Sequence, residues 1–261
     1  MRARDRAVEI VSSWRRSSIV DGRTRFFVND VQRRPGVSCY SLRNGAGTVL
    51  IRHSNVEDSF VLKEIFGAVD TYAVPREVDS ALRSAGVSVI TDLGANIGLA
   101  ALKFGRMFPT AQLVCVEADK SNASILEATL ALNDLLARTR VLKVAAAASA
   151  GTLRFVAGQG GRSHVAAPGE DGANVEAVDI FPVLEGTDLL KIDIEGGEWT
   201  ILEDDRVGAT RIKAICMEYH ARLCPGNNAT TTATALLNRA GFDVVSLREE
   251  PPGGVLWALR R

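Results

Sequence analysis

Val89-Ile90-Thr91-Asp92-Leu93-Gly94-Ala95-Asn96-Ile97-Gly98 runs from an apolar strand pattern into a glycine turn and out into a helical pattern that continues to Phe108. Strand, tight turn and helix in that order open a β/α unit, and glycines at the turn let the backbone approach a ligand at the carboxyl edge of the strand. The dinucleotide fingerprint G-x-G-x-x-G would require glycine at position 96 and a small residue at 99. Asn96 and Leu99 stand there, which counts against a nicotinamide cofactor. There is no G-x-x-x-x-G-K-[ST] either, so a P-loop has no support. Glu117 follows Gly98 by nineteen residues, at the end of the next apolar run, where a carboxylate can accept both hydroxyls of a ribose. Turn and acid together describe a nucleoside site, and an unphosphorylated nucleoside needs no nest of backbone amides.

Outward from this unit the chain alternates. A helix is expected near 76–85, then a strand Val87–Leu93, a helix Ile97–Phe108, a strand Gln112–Glu117, a helix Ser121–Leu136 and a strand Arg140–Ala146. Ser121 reads as the N-cap of its helix, with Ile125, Leu132 and Leu136 following at helical spacing. The rhythm then breaks. Thr152–Val156 reads as a hairpin strand, and Gly158-Gln159-Gly160-Gly161 with Pro168-Gly169-Glu170-Asp171-Gly172 as a long flexible loop of the kind that covers a site. The second half resumes with a strand Leu189–Ile194, a helix Glu198–Glu203, a strand Ile212–Tyr219, a helix Thr230–Ala240 closed by Gly241, and a strand Phe242–Leu247. Pro251-Pro252-Gly253-Gly254 leads into Val255–Leu259 over too few residues for a parallel crossover, so the last strand should pair antiparallel. The pattern is α/β, a doubly wound and mostly parallel sheet.

Before this core, residues 37–66 hold two short strands around Asn44-Gly45-Ala46-Gly47 and the segment Asp58–Phe66. We therefore divide the chain into an N-terminal basic arm and cap, 1–75, and a core domain, 76–261. The 261 residues balance thirty-one Lys and Arg against thirty-one Asp and Glu, which gives no general attraction to nucleic acid or to an anionic membrane. Residues 1–35 are the exception, with nine arginines, no lysine and four acids. That segment reads as an exposed helix with Val8, Ile10 and Val11 as its apolar contacts or as a packing extension, and alternatively as a contact for an acidic substrate or phosphate. It has no uninterrupted apolar stretch of signal-peptide type, and a cytoplasmic location is expected. Cys39, Cys115, Cys216 and Cys224 form no C-x-x-C pair and read as reduced. With three histidines, a zinc site of ordinary spacing has little support.

Asp92-Leu93-Gly94-Ala95-Asn96-Ile97-Gly98 resembles the first motif of class I S-adenosylmethionine-dependent methyltransferases. Leu189-Leu190-Lys191-Ile192-Asp193-Ile194-Glu195-Gly196-Gly197-Glu198 is similar to the K-[IV]-D-[IV]-E-G-x-E signature of the FkbM family, and Phe60–Tyr72 looks like the stretch that precedes the core in that family. The resemblance runs from about residue 40 to 261. It implies a seven-stranded Rossmann-like methyltransferase sheet with an antiparallel last strand, preceded by an N-terminal extension. It also implies S-adenosyl-L-methionine as cofactor, with the methionine portion near Gly94–Gly98, the ribose on Glu117, and the adenine between the start of the next helix and the end of the third strand. The cofactor-binding residues carried over are Asp92, Gly94, Asn96, Gly98 and Glu117.

Methyl transfer from a sulfonium is an in-line displacement, and a hydroxyl acceptor must lose its proton as the bond forms. Candidates for the base lie at the carboxyl ends of the fourth and fifth strands: Asp193, Glu195, Glu218 and His220. Each has a structural alternative. Asp193 or Glu195 would hold the following turn, Glu198 would be a first-turn helix acid, and His220 would be a hydrogen-bonded structural histidine. Two acids with a histidine could also gather a divalent cation, but sequence cannot place their donor atoms around one point, and no metal is assigned. The expected function is O-methylation of a hydroxyl on a sugar or secondary metabolite. Its partner is a small-molecule or glycan acceptor, with neither nucleic acid nor membrane involved, and residues 1–75 either shape the acceptor pocket or mediate a homodimer. A nicotinamide-dependent oxidoreductase and a silent nucleoside-binding subunit are the alternatives.

Overall fold

A computed structural model describes residues 3–156, 164–166, 169–250 and 253–261. The glycine run 158–161 and Pro168, expected in a covering loop, lie outside the described residues, as do Pro251 and Pro252.

The arm begins with α1 (Ala3–Arg16) and α2 (Arg23–Val31). The expected helix is present, but Val8, Ile10 and Val11 are not its contacts: they are 65%, 38% and 51% exposed. The helix is turned by a polar anchor instead. Arg16 is fully buried, and its guanidinium donates to Asp30 at 2.7 Å and to Glu9 at 2.7 Å. Asp30 also accepts from Ser59 at 2.6 Å and lies 3.2 Å from His53 Nδ1. Burial alone would raise its pKa, but these partners outweigh burial and hold the carboxyl far below its ordinary value. Other arginines of the arm pack on rings, Arg23 over Trp14 and Arg25 over Tyr40.

β1 (Ser38–Ser41) and β2 (Thr48–Ile51) form the expected antiparallel hairpin, and α3 (Val56–Phe66) follows, capped by Asn55. Then come α4 (Arg76–Ala85), β3 (Val89–Leu93), α5 (Leu99–Met107), β4 (Gln112–Val116), α6 (Lys120–Ala131) and β5 (Thr139–Leu142). The N-cap of α6 is Asp119, not Ser121: its carboxylate accepts from the amides of Ser121 at 2.8 Å and Asn122 at 3.2 Å. A carboxylate there is favoured by the free amides and by the dipole, and Ser121 Oγ accepts from Arg52 instead. The helix stops at Ala131, where Asp134 adopts φ 58°, so Leu132 and Leu136 turn outward while Leu126 and Leu130 fill the core.

The expected strand Arg140–Ala146 is divided. β5 ends at Leu142, and β6 (Ala145–Ala147) joins a second sheet with β7 (Gly151–Val156), β8 (His164–Val165) and β9 (Ala173–Asp179), in the order β6-β9-β7-β8. β9 escaped the sequence reading. It completes its pairing with β7 in antiparallel register, Gly151 opposite Ala177.

The remaining elements are α7 (Phe181–Leu184), β10 (Leu189–Ile192), α8 (Glu198–Glu203), α9 (Arg206–Ala209), β11 (Ala214–His220), α10 (Ala229–Arg239), β12 (Phe242–Glu250) and β13 (Gly253–Arg260). The main sheet has seven strands in the order β12-β13-β11-β10-β3-β4-β5. Strands β3, β4, β5, β10 and β11 pair in parallel, while β13 is antiparallel to both neighbours, as the short final connection requires. It inserts one strand inside the edge, and β12 forms the edge itself.

Helices cover both faces of the sheet. On one face Ile90, Leu102, Phe104, Leu126 and Trp257 pack with Phe26, Tyr40, Ile51 and Leu62, so the N-terminal segment shares its core with the sheet. On the other, Leu190, Ile192, Trp199, Ile215, Tyr219 and Phe242 gather under α8 and α10. Each such side chain is worth roughly 1.5–3 kcal/mol of transfer free energy, which makes the sheet a rigid platform for its carboxyl edge.

Candidate functional site

β3 is flanked by β4 on one side and β10 on the other, and the chain leaves it in one direction and returns on the opposite side. That switch point opens a crevice at the carboxyl ends of the strands. The turn after β3 lines it. Gly94 has φ 76°, and a Cβ there would stand 1.7 Å from the Asp193 carbonyl oxygen, so only glycine fits between the two strand ends. Gly98 at φ 87° closes against Leu126 in the same way. The amides of Gly94 and Ala95 donate to Val116 O, which draws the turn onto the end of β4.

Glu117, one residue beyond β4, is buried, and each of its oxygens is held by a backbone amide: Oε2 by Asn96 at 2.7 Å and Oε1 by Asp119 at 2.8 Å. Burial raises the carboxyl to about 7, partly offset by those two amides. Two lone pairs remain for a ligand. Asn96, itself at φ 48°, keeps a buried side-chain oxygen with no partner among the described residues. A slot runs from here between Asn122, Val144 and Ala145, and Phe155 and Val165 of the second sheet wall it in. Sequence reasoning found the strand containing Phe155 but not its approach to the slot, because β9, which pairs with that strand, was missed. These features fit an unphosphorylated nucleoside: apolar walls, one carboxylate, and an orphaned polar oxygen.

Gly94, Asn96, Asp193 and Glu195 also line a second cavity, so slot and cavity adjoin across these residues. Its floor is Lys191, buried with Nζ 3.1 Å from Asp92 Oδ1 and 3.4 Å from Asp193 Oδ2 and donating to Gly94 O at 2.8 Å. Burial alone would lower the lysine pKa; the facing carboxylates more than reverse this and keep it charged. Asp92 lies under the turn, where burial pushes its carboxyl up.

Asp193, Glu195 and Glu218 of the sequence-predicted catalytic candidates line this cavity, and His220 stands beside two of them. His220 Nε2 is 3.5 Å from Glu195 Oε2 and 3.9 Å from Glu218 Oε1. Tyr72, whose role the sequence did not disclose, donates its hydroxyl to Asp193 Oδ2 at 2.9 Å and lies 3.2 Å from Glu218 Oε2. Phe60, Glu57 and Glu64 of α3 roof the cavity. Burial and then the Asp193 charge push Glu218 well above the carboxylate range; burial and neighbouring acids do the same for Glu195. His220 moves the other way from what burial dictates. Its contact with Glu198 and the charges of Asp193 and Glu195 raise it to about 10, which favours the protonated ring. Donor atoms of Asp193, Glu195 and His220 lie within 4.8 Å of one another. Acidic clusters of this kind are common without an ion, and no metal is assigned.

A crevice at the switch point with a nucleoside slot on one side and an acid-rich mouth on the other is the architecture of a group-transfer enzyme using a nucleoside cofactor. Residues 92–244 match the family described as "Methyltransferase FkbM domain", and the chain belongs to that family of methyltransferases. "Methyltransferase sdnD" of Sordaria araneosa is 26% identical over 238 residues, covering 76% of this chain and 86% of that protein. Among solved structures, M. jannaschii TYW2 in complex with AdoMet is 9% identical with a TM-score of 0.45, covering 87% of this chain and 86% of its own. The precorrin-6y C5,15-methyltransferase of Geobacter metallireducens is 13% identical with a TM-score of 0.42, covering 74% of this chain and 93% of its own. The nicotinamide alternative gives way to the family membership. Among the described residues no helix is long and apolar enough to cross a membrane.

Proposed function

We propose that the chain is an S-adenosylmethionine-dependent O-methyltransferase acting on a hydroxyl of a small-molecule or glycan acceptor, such as a sugar or a secondary metabolite. The observation that carries this is that the Glu117 slot and the acid-lined cavity adjoin, sharing Gly94, Asn96, Asp193 and Glu195 as lining residues. When bound, the cofactor supplies an electrophilic methyl group on a sulfonium. Glu117 would accept the ribose hydroxyls, the glycine turn would admit the methionine portion, and the acids of the mouth complement a cationic centre beside them.

At the mouth an acceptor hydroxyl gives its proton to a carboxylate. Glu218 and Glu195 suit this step because burial has moved their proton affinity toward neutrality. Asp193 is tied to Tyr72 and Lys191 and orients the mouth, while the charged His220 stabilises its neighbouring acids as they ionise. Residues 1–75 take part through Tyr72 and the α3 roof, which close the acceptor side. Incubation with methyl-labelled cofactor and a panel of hydroxylated acceptors, read by mass spectrometry, tests the proposal. A labelled methyl ether supports it. Cofactor binding without transfer to any acceptor would favour the silent-subunit alternative, and transfer to nitrogen or carbon would remove the O-specificity.

A further inference from the structure

Glu198 takes no part in the reading above, and the sequence offers it only the place of a first-turn acid stabilised by a helix dipole. Its surroundings are different. The residue is fully buried, Oε2 accepts from the Gly196 amide at 2.8 Å, and Oε1 accepts from the His220 amide at 2.8 Å. The same Oε1 lies 3.2 Å from His220 Nδ1. Backbone donors on both oxygens stop the carboxylate from turning away, so the ring nitrogen meets a fixed acceptor. A buried anion is strongly unfavourable without a counter-charge, and the imidazole is the cation in contact with it.

The far side of the ring is equally constrained. Nε2 faces Glu195 and Glu218, Asp193 adds its charge from the end of β10, and Lys191 and Tyr72 lie behind these acids. Among the described residues carboxyl oxygens face both ring nitrogens, and an imidazole held between carboxylates is best satisfied with a proton on each. Trp199 pins the supporting backbone by donating to His220 O at 3.0 Å and Arg222 O at 2.9 Å. The Gly196 amide bond also braces the turn in which Glu195 adopts φ 52° and Gly196 φ 102°.

We propose that Glu198 is a positioning residue that holds the His220 ring in one orientation with a proton on each nitrogen, so that Nε2–H is presented to Glu195 and Glu218. His220 is then the electrostatic partner of the base rather than the base. This rests on the proposed function only in taking those acids to face the acceptor.

The test is a titration of the imidazole rings of the full chain by nitrogen-15 NMR, with the His220 signal assigned by its loss in His220→Gln. In the unsubstituted protein both ring nitrogens should remain protonated beyond pH 8. Glu198→Gln keeps the shape and an acceptor oxygen but removes the charge, and should lower the His220 midpoint by more than about one pH unit, a tenfold loss of proton affinity. Glu198→Asp, which retains the charge, should recover part of it. The same Gln variant should lower kcat by roughly tenfold or more and leave S-adenosylhomocysteine affinity within about threefold. An unmoved midpoint in a folded Glu198→Gln protein overturns the proposal. A neutral His220 ring at pH 7 in the unsubstituted protein overturns it as well, and needs no variant to fold. Absence of S-adenosylhomocysteine binding in the unsubstituted protein would instead count against the proposed function, with the titration result standing on its own.

Discussion

Lys191 stands directly opposite Asp92 in the parallel pairing of β10 with β3, and the two side chains, each 2% exposed, meet at 3.1 Å beneath the glycine turn. The register of two strands thus places a buried ion pair beneath the turn that separates the Glu117 slot from the acid-lined cavity. The row extends through Cys115 opposite Asp92 and Cys216 opposite Lys191, both buried and free, which makes the pair an island in an apolar sheet.

Lys191→Met should therefore destabilise the protein by about 3–5 kcal/mol, because it leaves Asp92 buried without its partner. Lys191→Met combined with Asp92→Asn should restore a large part of that loss. Urea unfolding of the two single variants and the double variant measures the coupling, and additive losses would show that the two groups act independently.

Glu117→Ala should weaken S-adenosylhomocysteine binding by about 1.5–3 kcal/mol, or roughly ten- to a hundredfold, through loss of a charge-assisted hydrogen-bonded contact. The variant also frees the Asn96 and Asp119 amides that the carboxylate now holds, so a lowered Tm should accompany the weaker binding. Calorimetry on folded variant decides the matter. An unchanged dissociation constant would reduce Glu117 to a brace for the turn.

Tyr72→Phe removes one hydroxyl that lies between Asp193 and Glu218 and leaves the ring in its apolar setting. Turnover should fall by roughly tenfold, since the proton acceptor loses its orientation, while cofactor affinity stays within about threefold. Glu218→Gln should cost more in kcat than Tyr72→Phe does. The opposite ranking would place the base elsewhere in the cluster.

Stability should fall as pH rises from about 5 to 9 in the cofactor-free protein. Burial raises the folded pKa of Glu117 to about 7 and moves Glu195 and Glu218 upward too, whereas unfolded glutamates titrate near 4.3. The folded state binds these protons more tightly, so their contribution is complete below the unfolded value and is lost on the way up. His220, raised to about 10 by Glu198 and its neighbours against the pull of burial, extends the decline above pH 6.5. At the acid end the sign reverses for Asp188. Burial would raise it, but Arg211 and the Ser88 amide hold it at about 2, so its contribution vanishes as pH falls through that range. A Tm that climbs steadily between pH 5 and 9 would contradict this account.

Much of this protein is written locally. Strand-turn-helix periodicity around residues 89–108 announces the β/α unit, since the spacing of apolar side chains dictates which face is buried. The two-residue link between β12 and β13 forces β13 to run antiparallel because no crossover fits in it. Gly94 and Gly98 are legible as a close approach, and Glu117 as the acid beside it, because turn and strand end are neighbours along the chain. Tertiary structure decided the rest. Nothing local tells that Asp119 rather than Ser121 caps α6, that Arg16 and Asp30 rather than Val8 and Val11 seat the arm, or that β7, paired with β9, brings Phe155 to the slot. Tyr72 reaches Asp193 across 121 residues, and Glu198 reaches His220 across 22. Whether His220 is neutral or charged depends on which carboxylates the fold gathers around it, for electrostatic energy depends on distance through space and on the dielectric of the site, and neither quantity is carried by sequence spacing.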